Sequence, residues 1–177
     1  MGECSALTEN AYLNRHNQLA KLVHQQLGIK YGLLDISTPP YYKYDPAPVL
    51  ENSNIILYWD RSVFTDKSID YNRPDILLIN NNTRTATIVE IGVPLTHNLN
   101  KIEIEKKHKY EELAFQLKNI WKLNHVSIYP LVMSTEGVVS KTFHFNIEKL
   151  QLNPNIFTIG QRAILLQTCH ILRKFLN

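Results

Sequence analysis

Apolar and polar positions follow two different periods along this chain, and the places where the period changes mark its elements. Leu13, Leu19, Ala20, Val23 and Leu27 recur at three- and four-residue steps, which predicts an amphipathic helix over about 7–28, ended by Gly28 or, after an extension, by Gly32. Four prolines, Pro39, Pro40, Pro46 and Pro48, then interrupt a stretch that also holds Tyr41, Tyr42 and Tyr44. A surface loop is expected there, its tyrosines packing against the body rather than stacking on bases.

Three short runs follow, rich in β-branched and aromatic residues: 55–61, 76–79 and 87–89. The last two are joined by Asn80-Asn81-Asn82-Thr83, which predicts a hairpin. Past Pro94 the helical period returns in Tyr110, Leu113, Ala114, Leu117, Ile120 and Trp121, a stripe expected to belong to one long helix. Residues 126–133 read as a further strand, 147–152 as a short helix before Pro154, and about 159–176 as a closing helix apolar on most sides. The three adjacent strands predict an antiparallel meander, and the strand after the long helix should join it in parallel through a right-handed crossover. The expected fold is α/β, a mixed β-sheet flanked by helices with core order α-β-β-β-α-β plus C-terminal helices.

Length and composition narrow the class. A chain of 177 residues suits a single domain, 1–177, with its core at about 55–133. A 44% hydrophobic share beside 20% charged residues excludes disordered and fibrous classes. The formal charge of +3 permits a polyanionic partner without demanding one. Cys4 and Cys169 lie far apart with no zinc-ligand spacing, so a reducing compartment is expected. Residues 1–10 lack a basic start and an apolar core, and no run is long enough to span a bilayer, so an intracellular protein is expected.

The chemistry concentrates between Asn72 and Tyr110. Asp75 begins one strand of the predicted hairpin and Glu90 ends its partner, so pairing brings two carboxylates side by side. Two acids suit a hard divalent ion such as Mg²⁺, which keeps several of its waters. Such an ion neutralises a scissile phosphate and activates a water. Lys106 and Lys109, reaching in from the following helix, are the candidates for orienting that water or stabilising transition-state charge. The competing reading is structural: Asp75 ends a strand, Glu90 pairs with Lys106 or Lys109, and Tyr110 is core. For Arg15-His16-Asn17-Gln18 and His24 the solvated outer face of a helix is the preferred reading, over a place at a phosphate or metal. Asp60 and Arg61 are balanced between a salt bridge with each other and a role beside the site.

Arg73-Pro74-Asp75, the apolar strand and Val89-Glu90-Ile91 together resemble the PD-(D/E)xK nucleases, the restriction-endonuclease-like fold. Gly92 stands where that family's lysine is expected. The variant with Lys106-Lys107-His108-Lys109-Tyr110 on the next helix is similar to the endonuclease domain of site-specific non-LTR retrotransposons. Tyr12-Leu13-Asn14-Arg15-His16-Asn17, Tyr58-Trp59-Asp60-Arg61 and Cys169-His170-Ile171-Leu172-Arg173 share the likeness. The resemblance implies a metal-dependent DNA endonuclease using Mg²⁺, with Mn²⁺ as substitute. Asp75, Glu90 and the main-chain carbonyl of Ile91 would be its ligands, and Lys109, narrowly preferred over Lys106, its catalytic lysine. Arg61, Arg73, Lys101, Lys106 and Tyr110 would meet DNA along a basic rim, although Tyr110 also opens the buried stripe. It implies a nuclear location and a reverse transcriptase or other target-selecting protein as companion. The chain is then either an excised domain or a stand-alone derivative. The alternative is a DNA-binding or protein-interaction module of the same fold without cleavage, for which Gly92 speaks.

Overall fold

The computed structural model describes residues 3–176. A long helix, α1 (Glu3–Lys30), leads through the proline-rich loop into β1 (Val49–Glu51), β2 (Ile55–Trp59), β3 (Ile76–Asn80) and β4 (Thr85–Gly92). A 3₁₀ turn (Thr96–Asn98), α2 (Leu99–Lys109) and α3 (Glu111–Ile120) then cross to β5 (His125–Val132). Helices α4 (Phe143–Lys149) and α5 (Ile156–Leu176) close the chain. The five strands lie in the sheet in chain order. The first four pair antiparallel, and β5 joins β4 in parallel, as the crossover rule requires of a strand reached through helices.

Alternation along the strands sorts side chains onto two buried faces, which is why β3 is apolar at nearly every position. Ile76 and Leu78, with Val89 and Ile91, face a core built with α1, α4 and α5. Leu77 and Ile79, with Ala86 and Ile88, face a second core closed by Tyr110, Leu113 and Leu117 at the start of and along α3. Leu113 and Leu117 are fully buried, and each such leucine contributes on the order of 1.5–3 kcal/mol.

The structure departs from expectation in several places. Helix α1 runs through Gly28 to Lys30, the later of the two expected ends, and the chain turns at Gly32, whose φ of +67° is the left-handed conformation that lets Leu33 and Leu34 donate back to the Gly28 carbonyl. Strand β1 was hidden by its prolines. At the sheet edge Pro48 has only to accept, and its carbonyl takes the Trp59 N–H at 3.1 Å. The long helix is broken at Tyr110, with φ −109° and ψ 11°, so that α2 and α3 are separate helices. Helix α4 begins at Phe143, not 147, because Phe143 itself is core. Tyr44 packs inward as expected, its hydroxyl 2.9 Å from His24 Nδ1, while Tyr42 stays exposed. None of the described helices is long and apolar enough to cross a membrane.

Candidate active site

The β3–β4 pairing sets Ile76 opposite Val89, and one step further places Asp75 opposite Glu90. The two acids meet directly through their hydrogen bonds. The Asp75 amide donates to Glu90 Oε1 at 3.0 Å, and the Ile91 amide donates to Asp75 Oδ2 at 2.8 Å. Glu90 is 1% exposed. Its other oxygen, Oε2, accepts from Lys106 Nζ at 2.8 Å. From the opposite layer, His16 on α1 brings Nε2 to 3.1 Å from Asp75 Oδ2, while its Nδ1 stands 3.1 Å from Asn17 Oδ1. Two acids at the mouth of a hairpin are thus each matched to a base, one on α1 and one on α2.

Burial and charge act in opposite directions at these groups. Burial pushes the Asp75 carboxyl up, but the hydrogen bond and charge of His16, the Lys106 ammonium and the Ile91 amide more than offset it, and Asp75 is held below the usual range. Burial lifts Glu90, the Asp75 charge lifts it further, and Lys106 pulls only partly back, so Glu90 is raised. Burial disfavours the His16 imidazolium, yet Asp75 outweighs it and the pKa is raised. With both ring nitrogens facing oxygen acceptors, the protonated ring satisfies both contacts. Burial and mutual charge thus shift the two carboxyls in opposite directions.

The other expected site residues fall in different places. Lys106 reaches the acids and Lys109 does not: its ammonium lies over the Tyr71 and Tyr110 rings, 5.1 and 4.7 Å from their centroids. Both lysines sit on α2, ahead of the break at Tyr110, and of the two Lys106 brings its ammonium to Glu90. Tyr110 is 1% exposed, too buried to touch DNA, and its hydroxyl donates to the Arg73 carbonyl at 2.8 Å. Arg73 forks onto the Asp60 carboxylate at 2.8 and 2.7 Å, so Asp60 pairs with Arg73 and not with its neighbour Arg61, which is exposed. Lys101 is exposed on α2, 3.8 Å from Glu105. The Ile91 amide serves Asp75.

At position 92 there is little room for any side chain. A Cβ there would meet Ile102 Cγ2 at 3.1 Å and Val132 Cγ2 at 3.2 Å, so α2 already occupies the space a side chain at 92 would need. One turn beyond Ile102 on the same helix, Lys106 delivers its ammonium to Glu90.

His16 is the site residue that the reading of the sequence passed over. The polar run on α1 held the signal, but nothing in the sequence shows that the outer face of that helix meets the end of β3. A cavity of about 880 Å³, lined by residues of α1 and α5 and by Val93, Leu95, Thr135 and Glu136 from the segments after β4 and β5, opens beside the same histidine.

By chemistry, two carboxylates suit Mg²⁺ or Mn²⁺, and an imidazole beside them favours Mn²⁺ over Mg²⁺. As they stand, no three His, Cys, Asp or Glu side chains among the described residues form a ready cage. His16 and Lys106 each stand against a carboxylate oxygen, and both side chains are about a quarter exposed, at 23% each. The donor set fits such an ion in kind: Asp75, Glu90 and His16 would hold it, with Lys106 beside Glu90.

No known protein-family profile matches the chain, and no curated protein matches it either. Among solved structures, a phenuiviridae cap-snatching endonuclease superposes with a TM-score of 0.45 at 17% identity, over 64% of this chain and 58% of that one. A toscana virus cap-snatching endonuclease gives 0.44 at 17% identity with the same coverage. An N-terminal domain of a reptarenavirus L protein gives 0.37 at 12% identity, over 81% of this chain and 72% of that one. This chain therefore spans 58% of the length of the first two structures. Superpositions this loose assign neither a family nor an activity.

Proposed function

We propose that this domain is a divalent-metal-dependent DNA endonuclease of the retrotransposon type, with Mg²⁺ as the working ion and Mn²⁺ able to replace it. The observation that carries the reading is the opposition of Asp75 and Glu90 at one end of a hairpin, with Lys106 on one acid and His16 on the other. Asp75, Glu90 and His16 would hold the ion, together with the Ile91 carbonyl that the family resemblance implies. When bound, the ion supplies neutralisation of the scissile phosphate and a more acidic water. Lys106, set against Glu90, orients that water or faces the charge that develops on the phosphorus oxygens. Arg61 and Lys101 are exposed and Lys109 is partly exposed, and these cations would give a backbone-reading, salt-dependent contact with DNA. A reverse transcriptase or another target-selecting protein, and action in the nucleus, belong to the same proposal.

The test is plasmid nicking by the purified chain in Mg²⁺ or Mn²⁺, with an RNA oligonucleotide run alongside. Asp75→Ala and Glu90→Ala should each abolish nicking while circular dichroism and DNA retention stay near wild type. Nicking that survives both substitutions refutes the proposed site. A second reading, a DNA-binding or protein-interaction module without cleavage, is favoured by one observation: each carboxylate is already neutralised by its own base. DNA retention with no cleavage in either metal would select it.

A further inference from the structure

Tyr110 does two things at once. It is the sole residue between α2 and α3, and its non-helical backbone turns the chain so that α2 carries Lys106 to the site while α3 packs on the sheet. Its side chain, fully buried, runs back under the hairpin and donates to the main-chain carbonyl of Arg73, two residues ahead of Asp75. On the exposed side the same segment is gripped by Asp60. That carboxylate takes the Arg73 guanidinium, and its amide donates to the Asp75 carbonyl at 2.8 Å. The short stretch 73–75 is therefore held from beneath by a phenol and from above by an ion pair.

A ring that only filled the core would need no hydroxyl. Burying a phenol without a partner is costly, and phenylalanine fills the same volume without that cost. Burial, and after it the Glu90 charge, keeps the Tyr110 phenol well above its ordinary pKa range, so it remains a neutral donor. We propose that Tyr110 is a positioning residue: its hydroxyl fixes the backbone entering Asp75, and its helix break fixes Lys106, so that one side chain sets the acid and the ammonium relative to each other. The inference rests on the nuclease reading for its catalytic consequence, and on geometry alone for its structural one. Reacting groups must be held to within about 0.5 Å of their working places, which gives such a tether kinetic weight.

The experiment is Tyr110→Phe in the full chain, which keeps the ring in the core, read by amide hydrogen exchange and by cleavage kinetics. Two amides report directly on the acids: Asp75, which donates to Glu90, and Ile91, which donates to Asp75. Losing one buried hydrogen bond should speed exchange at these two by roughly 5–10-fold while the amide of Leu131 in β5 stays unchanged. Cleavage should lose about tenfold in kcat with KM for DNA unchanged. Leu113→Ala is the control, because it weakens the same core without touching the hydroxyl. It should lower Tm and speed exchange across the sheet, without singling out Asp75 and Ile91. Unmoved Asp75 and Ile91 amides, or a rise shared evenly with β5, overturns the inference. So does a defect confined to KM. If the wild type cuts nothing, the exchange result still decides the tether, and only the nuclease reading falls.

Discussion

His24 makes acid a specific threat to this fold. The ring is fully buried, between the Tyr44 hydroxyl at its Nδ1 and the Trp59 indole at 5.4 Å, and its Nε2 has no hydrogen-bond partner among the described residues. Burial lowers its pKa from 6.5 to about 4, while Tyr44 is itself pushed up to about 12 and stays a neutral donor. A folded-state pKa below the unfolded one means that the unfolded chain takes up the proton first as pH falls. The stabilisation is therefore complete above about pH 6.5 and is lost progressively down to about pH 4. A depression from 6.5 to about 4, at 1.36 kcal/mol per unit, gives about 3 kcal/mol, a large part of the 5–15 kcal/mol that holds a typical domain. The assay is urea unfolding of wild type and His24→Phe at a series of pH values across that window. Other acids titrate in both proteins, so the difference between the two profiles isolates His24. Wild type should lose about 3 kcal/mol relative to the variant between the ends of the window. Parallel profiles would refute the reasoning, showing that protonated His24 is accommodated or that water reaches Nε2.

Three further outcomes are expected. Lys106→Met should cut the cleavage rate by roughly 100-fold or more, whereas Lys109→Met, whose ammonium rests on aromatic rings, should cost less than about tenfold and mainly weaken DNA binding; plasmid nicking under single-turnover conditions separates them, and the reverse ranking would return the catalytic role to Lys109. His16→Gln should reduce the Mn²⁺-induced rise in Tm and lower cleavage by about 10–100-fold, as loss of a metal ligand or its supporting partner does; an unchanged Mn²⁺ response would remove His16 from the ligand set. Gly92→Lys, which restores the lysine of the common motif, should not improve cleavage and should cost roughly 1–3 kcal/mol in urea unfolding, because the new side chain meets Ile102 and Val132; a stable, more active variant would contradict the packing account.

Local pattern made most of the fold legible. The meander, the parallel fourth long strand and the two large helices all follow from period and from the rule governing crossovers, and the hairpin register places Asp75 against Glu90. What stayed hidden depended on contacts between distant segments. A three-residue edge strand has no period of its own, so β1 is apparent only from its partner β2. The break at Tyr110 arises because a buried tyrosine reaches across 37 residues to Arg73, and spacing along α2 and α3 carries no trace of it. His16 lies 59 residues from Asp75, and a polar residue on a helix looks the same whether that face meets water or a carboxylate. The Asp60–Arg73 fork was missed for a related reason, since the adjacent Arg61 offered a nearer and equally charged partner.

The turn at 81–84 divides ownership of the chemistry. His16 and Asp75 are written before it, Glu90 and Lys106 after it, and the parallel strand that seals Glu90 is made last of the five. Neither half of the polypeptide carries all four side chains, so the candidate site exists only once both have been made and β3 has paired with β4.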